Sequence, residues 1–152
     1  MEKKKTANPA KEYLRRYRAI LHRQNSLIRA LASLRDRQTN CTVRLKAIQV
    51  QSSGYVSDRM ADDAAAAIEL EDQIMEAEAK AARALSDILR AIEAVKDETQ
   101  RAVLTLRYIE GLDWLKVADG IGYEIANTYI IHGKALIEVN RWIIENNLCT
   151  NL

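Results

Sequence analysis

The chain has 152 residues, with 23 lysines and arginines against 21 aspartates and glutamates and a formal net charge of +2. That length suits one compact domain or two small ones and is short for a multi-domain enzyme. With no phenylalanine, one proline and five glycines, it lacks the punctuation that many short strands need, so an all-α fold is expected.

Charge is unevenly distributed. Residues 1 to 46 carry 13 basic against 3 acidic side chains, residues 57 to 98 carry 5 against 12, and residues 99 to 152 carry 5 against 6. The basic third points to a polyanionic partner, and the acidic segment offers an internal one. Cys41 and Cys149 form no CxxC pattern, so neither a disulfide framework nor a zinc knuckle is implied. No apolar run follows Met1-Glu2-Lys3-Lys4-Lys5, and no segment approaches membrane-spanning length. A cytoplasmic protein with reduced thiols and no membrane partner is expected.

Asn8-Pro9 reads as a helix start, with asparagine at the N-cap and proline at the first helical position. The helix then carries an apolar stripe to about residue 38. Tyr13, Ile20, Leu27 and Leu34 recur every seven residues, flanked by Leu14, Tyr17, Leu21, Ile28 and Leu31, while Arg15, Arg16, Arg18, Arg23, Arg29 and Arg37 fall outside it. Residues 39 to 56 lose the pattern and read as a loop. Ser57-Asp58 reads as the cap of a second helix, residues 58 to 96, with a heptad seam through Ala64, Ala67, Ile74, Ala81, Leu85, Ile88, Ile92 and Val95, widened by Ile68, Met75, Ala82 and Leu89. Glu71 and Glu78 fall on that seam, where carboxylates are costly unless they stay at its edge or reach arginines on a neighbouring helix. Opposite charge favours pairing of the two helices as a long antiparallel hairpin, residues 1 to 96, which buries little by itself and so should either pack on the C-terminal helices or, as the favoured reading, form a homodimeric four-helix bundle.

Residues 97 to 152 read as a three-helix domain. Asp97 and Gln100 have capping-box spacing, opening a helix that ends at Gly111; Asp113 caps a short helix carrying Trp114, Val117 and Ala118; Ile121-Gly122 turns the chain into a last helix holding Thr128, Ile131, Ala135, Leu136, Val139 and Ile143. Counted from Trp114, the fifth and ninth positions of a helix-turn-helix are Ala118 and Gly122. The fifth must be small for two helices to approach, and the ninth must tolerate positive φ. Val117, Ile121 and Ile131 supply apolar positions four, eight and eighteen, and Thr128 is an imperfect fifteenth. Two core helices without a ligand would satisfy the same spacing.

Leu106-Arg107-Tyr108-Ile109-Glu110-Gly111-Leu112-Asp113-Trp114, Val117-Ala118, Ile121-Gly122-Tyr123 and His132-Gly133-Lys134-Ala135-Leu136 resemble the region-4 domain of bacterial sigma factors. Together with Ala10-Lys11-Glu12-Tyr13-Leu14-Arg15-Arg16-Tyr17 and Ser57-Asp58-Arg59-Met60-Ala61-Asp62, they make most of the chain similar to prophage regulators that join such a domain to an N-terminal helical hairpin, relatives of the ArpU-type late-gene regulators. The resemblance implies sigma-like binding of double-stranded DNA and control of phage transcription, and it implies no enzymatic activity.

The groove-facing positions of the last helix would be Glu124, Ile125, Ala126, Tyr129, Ile130 and Gly133, with Asn127 and Lys134 beside them. Base edges and phosphates are read by hydrogen bonds and positive charge, and this set offers little of either. Two readings follow. In one, Lys3, Lys4, Lys5, Arg15 and Arg16 provide phosphate contacts, while Ile125, Ala126, Asn127, Tyr129, Ile130 and Lys134 add modest selectivity. In the other, exposed Ile125, Tyr129 and Ile130 form an apolar patch that binds a protein such as RNA polymerase or is buried within a dimer. His22 and His132 form no metal spacing with either cysteine and read as surface or edge residues; Trp142, Ile143 and Ile144 read as core or interface residues. Phosphate loops, nucleophile elbows and ExxH pairs are absent, so no metal, cofactor or catalytic role is expected.

Overall fold

The computed structural model describes residues 8–47 and 55–146, with side chains described for 8–40 and 59–146. It is all-helical, with no strand among the described residues: α1 (Pro9–Ala47), α2 (Tyr55–Glu93), α3 (Glu98–Leu104) running into a π-helical segment (Thr105–Ile109), α4 (Trp114–Ile121) and α5 (Ile125–Glu145). Asn8 caps α1 as expected, its Oδ1 accepting from the Ala10 N–H at 3.1 Å. Helix α1 overruns its expected end, and α2 is displaced toward the N-terminus, ending at Glu93 instead of at residue 96. Helix α1 continues through residues 39 to 47, and α2 begins at Tyr55, before the Ser57-Asp58 pair. Nothing in the sequence between Arg37 and Ala47 forces a break: there is no glycine or proline, and Thr39 returns its hydroxyl to the Arg35 carbonyl at 3.0 Å in the manner of a helical threonine.

Two compact units emerge, one formed by Met1–Ala19 and Ala81–Leu152, the other by Ile20–Lys80. A boundary at 96/97 therefore falls inside the first unit, because Val95 is buried in the same cluster as Leu104 and Val139. In the second unit Leu31, Leu34 and Ala77 are buried. There Arg35 pairs with Glu71 at 2.5 Å, so this carboxylate stands at the edge of the helix contact, exposed, and meets an arginine of the neighbouring helix.

The expected seam of α2 is turned inward at Ala67, Ile74, Ala81, Leu85, Ile88, Ile92 and Val95, but not at Ala64 or at the residues expected to widen it. The side chains turned inward follow alternating steps of three and four, through Leu70, Ile74, Ala77, Ala81, Ala84, Ile88, Ala91 and Val95, whereas Ile68, Met75, Ala82 and Leu89 are exposed, as is Ala64. Small alanines occupy much of this face, and the bulkier residues on the adjacent stripe are left outside. Ile28 on α1 is exposed for the same reason, one position beyond buried or half-buried Leu27, Leu31 and Leu34.

The core of the first unit joins Ala10, Tyr13 and Leu14 of α1 to Ile88, Ala91 and Ile92 of α2, Leu104 and Tyr108, and Ala135, Leu136, Val139 and Ile143 of α5. Trp142 is half-buried with its ring 6.2 Å from that of Tyr13, and Ile144 is exposed. Asp97 caps α3, accepting from the Gln100 N–H at 2.8 Å. The reciprocal half of the capping box is not made: Gln100 Oε1 is buried without a hydrogen-bond partner. The expected single helix up to Gly111 instead widens over Thr105–Ile109, where the Glu110 N–H donates to the Thr105 carbonyl at 3.1 Å.

Candidate nucleic-acid interface

Helices α4 and α5 and the turn between them form part of the first unit. Asp113 opens α4, accepting from the Lys116 N–H at 2.9 Å; that hydrogen bond holds its carboxyl below the usual aspartate range. Gly122 closes α4 at φ +71°, and the Tyr123 N–H donates to the Ala118 carbonyl at 3.0 Å. Val117 and Ala118 are buried beneath the turn, and Ile121 and Ile131 are half-buried. Thr128 is fully buried despite its hydroxyl, which donates to the Glu124 carbonyl at 3.0 Å and so leaves no orphan polar group.

The first turns of α5 face solvent. Ile125, Ala126, Asn127, Tyr129, Ile130 and Lys134 are all exposed, as are Glu124 and Gly133. The surroundings are apolar and acidic rather than basic: Leu115 and Tyr123 are exposed nearby in sequence, Asp119 and Glu124 are exposed carboxylates, and Lys116 lies 3.6 Å from Asp113. Tyr129 stacks obliquely on Trp114, ring centroids 4.9 Å apart, and Trp114 lies under the Arg107 guanidinium at 4.7 Å.

Of the expected basic contributors, Arg15 and Arg16 are exposed on α1, with Arg16 5.4 Å above the Tyr13 ring. Lys3, Lys4 and Lys5 lie outside the described residues. Sequence reasoning missed the partners that the fold brings to Arg15. Arg15 and Arg18 of α1, Arg107 and Tyr108 of the π-helical segment, and Gly111 line one cleft of about 280 Å³. Arg18 Nη1 donates to the Glu110 carbonyl at 3.2 Å, a contact spanning 92 positions, and Arg107 Nη1 donates to the Leu112 carbonyl at 2.7 Å. No local pattern announces such a long-range grouping; the one sequence clue is Gly111, whose φ of +75° no other residue type adopts readily.

Behind the cleft, His132 is buried, not the surface or edge residue its isolation in the sequence suggests. Its Nε2 is 2.9 Å from the Tyr108 hydroxyl, and the Trp114 ring meets it edge-on at 4.8 Å. Burial, followed by the positive charges of Lys11, Arg107 and Arg15, pushes the His132 pKa down to about 4, so the imidazole is neutral at pH 7. Burial also raises the Tyr108 pKa, keeping the phenol protonated. Among the described residues no cluster of histidine, cysteine or carboxylate side chains could hold a metal ion, and no helix is long and apolar enough to cross a membrane. No protein-family model, curated protein or solved structure matches the chain.

Proposed function

We propose that the chain is a phage-type, DNA-binding transcription regulator, with an N-terminal antiparallel helical hairpin followed by a sigma region 4-like helix-turn-helix, acting in the cytoplasm as a homodimer. The observation that carries this reading is the α4–α5 corner. A small buried Ala118, a left-handed Gly122 and buried Val117 and Thr128 hold the two helices together, while the N-terminal face of α5 is left free to enter a groove. Pairing of Arg35 with Glu71 supports the hairpin, and exposed Ile28, Ile68 and Met75 support a second copy against it.

A second reading has its own support. Ile125, Tyr129 and Ile130 are exposed together with Leu115 and Ile137, an apolar surface better suited to a protein such as RNA polymerase than to phosphates. On that view the helix-turn-helix is an adaptor.

Binding of wild type and a Tyr129→Ala/Ile130→Ala variant to promoter-containing phage DNA across a salt series separates the two. DNA recognition through α5 predicts loss of sequence preference in the variant with the salt slope kept, since phosphate contacts lie elsewhere. Absence of wild-type DNA affinity even at low salt refutes the DNA reading, and recovery of polymerase subunits by wild type but not by the variant supports the adaptor.

A further inference from the structure

Surface arginines are ordinarily solvated, mobile and paired with whichever carboxylate is near. The arginines of the cleft behave differently. Arg18 and Arg107 each place one guanidinium nitrogen on a backbone carbonyl, Glu110 and Leu112 respectively, and Arg107 is also stacked on Trp114. Those contacts fix the planes of the two forks and leave other N–H donors uncommitted. Gly111 makes the room: a Cβ there would overlap the Arg18 guanidinium. Arg15, exposed on α1 almost one helical turn before Arg18, completes the wall.

None of the three forms an ion pair among the described residues, where the ion pairs involve Arg35, Lys80 and Lys116. Three positive charges line one concavity with no carboxylate among its lining residues, an arrangement that attracts an anion. Arg107 and Tyr108 also sit on the π-helical widening, a distortion found frequently at functional sites.

We propose that this cleft binds a phosphate group. The forks of Arg18 and Arg107 match the tetrahedral oxygens bidentately, and Arg15 supplies a third positive charge at the rim. A volume of about 280 Å³ sits at the lower edge of small-ligand clefts, about 300–1,000 Å³, and takes a phosphate with little beyond it. The group belongs either to a DNA backbone or to a soluble phosphate ligand. Only the first source rests on the DNA-binding function proposed above. It is favoured by the run of stacked groups from Arg107 through Trp114 to Tyr129, which links the cleft to the exposed face of α5.

The test uses the full chain, its Arg15→Gln/Arg18→Gln variant, and two probes: inorganic phosphate by isothermal titration, and duplex DNA across a salt series. For a backbone phosphate, the variant binds duplex about tenfold more weakly, with a salt slope lower by about 1, and inorganic phosphate competes with the duplex on the wild type. If phosphate binding weakens tenfold while duplex affinity is unchanged, the site stands and its ligand is a soluble phosphate. If both probes bind the variant as they bind wild type, or neither binds the wild type, the proposal is overturned. Should the double variant fail to fold, Arg15→Gln alone serves, because Arg15 is exposed and makes no hydrogen bond with a described residue; a severalfold loss is then expected and no loss overturns the site. Phosphate binding is kept by Tyr129→Ala/Ile130→Ala, so failure of the α5 reading and failure of the cleft register separately.

Discussion

His132 gives the sharpest prediction about stability. In the folded chain its imidazole is buried against Tyr108 and Trp114, with Lys11, Arg107 and Arg15 adding positive potential, and its pKa is pushed down to about 4 from an ordinary 6.5. Because the folded pKa lies below the unfolded one, the unfolded chain takes up a proton first as pH falls. Stability is therefore complete above about pH 6.5, declines through the interval down to about 4, and stops declining below it. Linkage across the full interval gives about 3 kcal/mol, of which about 2 kcal/mol is lost between pH 7.5 and pH 5.0. Urea unfolding at those two pH values, for wild type and His132→Gln, measures it. Wild type should lose about 2 kcal/mol more than the variant, although the variant is itself weaker at pH 7.5 through altered packing. Glu76 and Asp113, whose pKa values are lowered by Lys80 and by the Lys116 N–H, contribute their losses at lower pH. Parallel behaviour of the two proteins between pH 7.5 and 5.0 would falsify the account of a neutral buried histidine.

Three further outcomes follow from local geometry. Asp97→Ala removes the side-chain acceptor for the Gln100 N–H and should cost about 1 kcal/mol in urea unfolding; an unchanged midpoint would show that α3 does not depend on its cap. Gly122→Ala meets no atom within 4 Å and adds only the strain of φ +71°, about 1 kcal/mol, whereas Gly111→Ala adds similar strain and also displaces Arg18, roughly 2 kcal/mol. The reverse order in thermal melts would refute the close approach of Arg18 to Gly111. By light scattering the wild type should be a dimer and Ile68→Glu/Met75→Glu a monomer, since those residues are 62% exposed on α2; a monomeric wild type removes the homodimer.

The features legible in the sequence are those decided by a few neighbouring backbone groups. Asn8, Asp97 and Asp113 cap because a short acceptor stands two or three residues before a free N–H, and Gly111 and Gly122 end helices because only glycine takes their φ cheaply. Helix ends without such chemistry were not legible, which is why residues 39 to 47 read as loop although they continue α1. The seam of α2 is legible, but the stripe that widens it is not. A heptad count that prizes isoleucine and methionine selects Ile68 and Met75, but the buried positions beside the seam are Ala77, Ala84 and Ala91. The arginine cleft was invisible for a different reason: Arg18 meets the Glu110 carbonyl only after the helices of the first unit have packed.

The fate of the basic charge then bears on how the two functional readings relate. The segment of residues 57 to 98 holds enough carboxylates to neutralise much of the basic first third, yet among the described residues the ion pair linking α1 to α2 is Arg35–Glu71, in the second unit. In the first unit Arg18 and Arg107 bond to backbone carbonyls, and Arg15 lines the same cleft without an ion pair to α2 among the described residues. Three guanidiniums are thereby grouped on the unit that also carries the exposed face of α5, a face with little charge of its own. Separation of an apolar reading surface from an arginine anchor is physically economical for DNA: phosphate contacts set affinity and register, and apolar contacts with thymine methyls, helped by Asn127, then need add only selectivity. An adaptor has no comparable use for three unpaired guanidiniums beside its apolar patch. A backbone phosphate in the cleft would join the two proposals, the arginines anchoring the duplex and α5 adding selectivity.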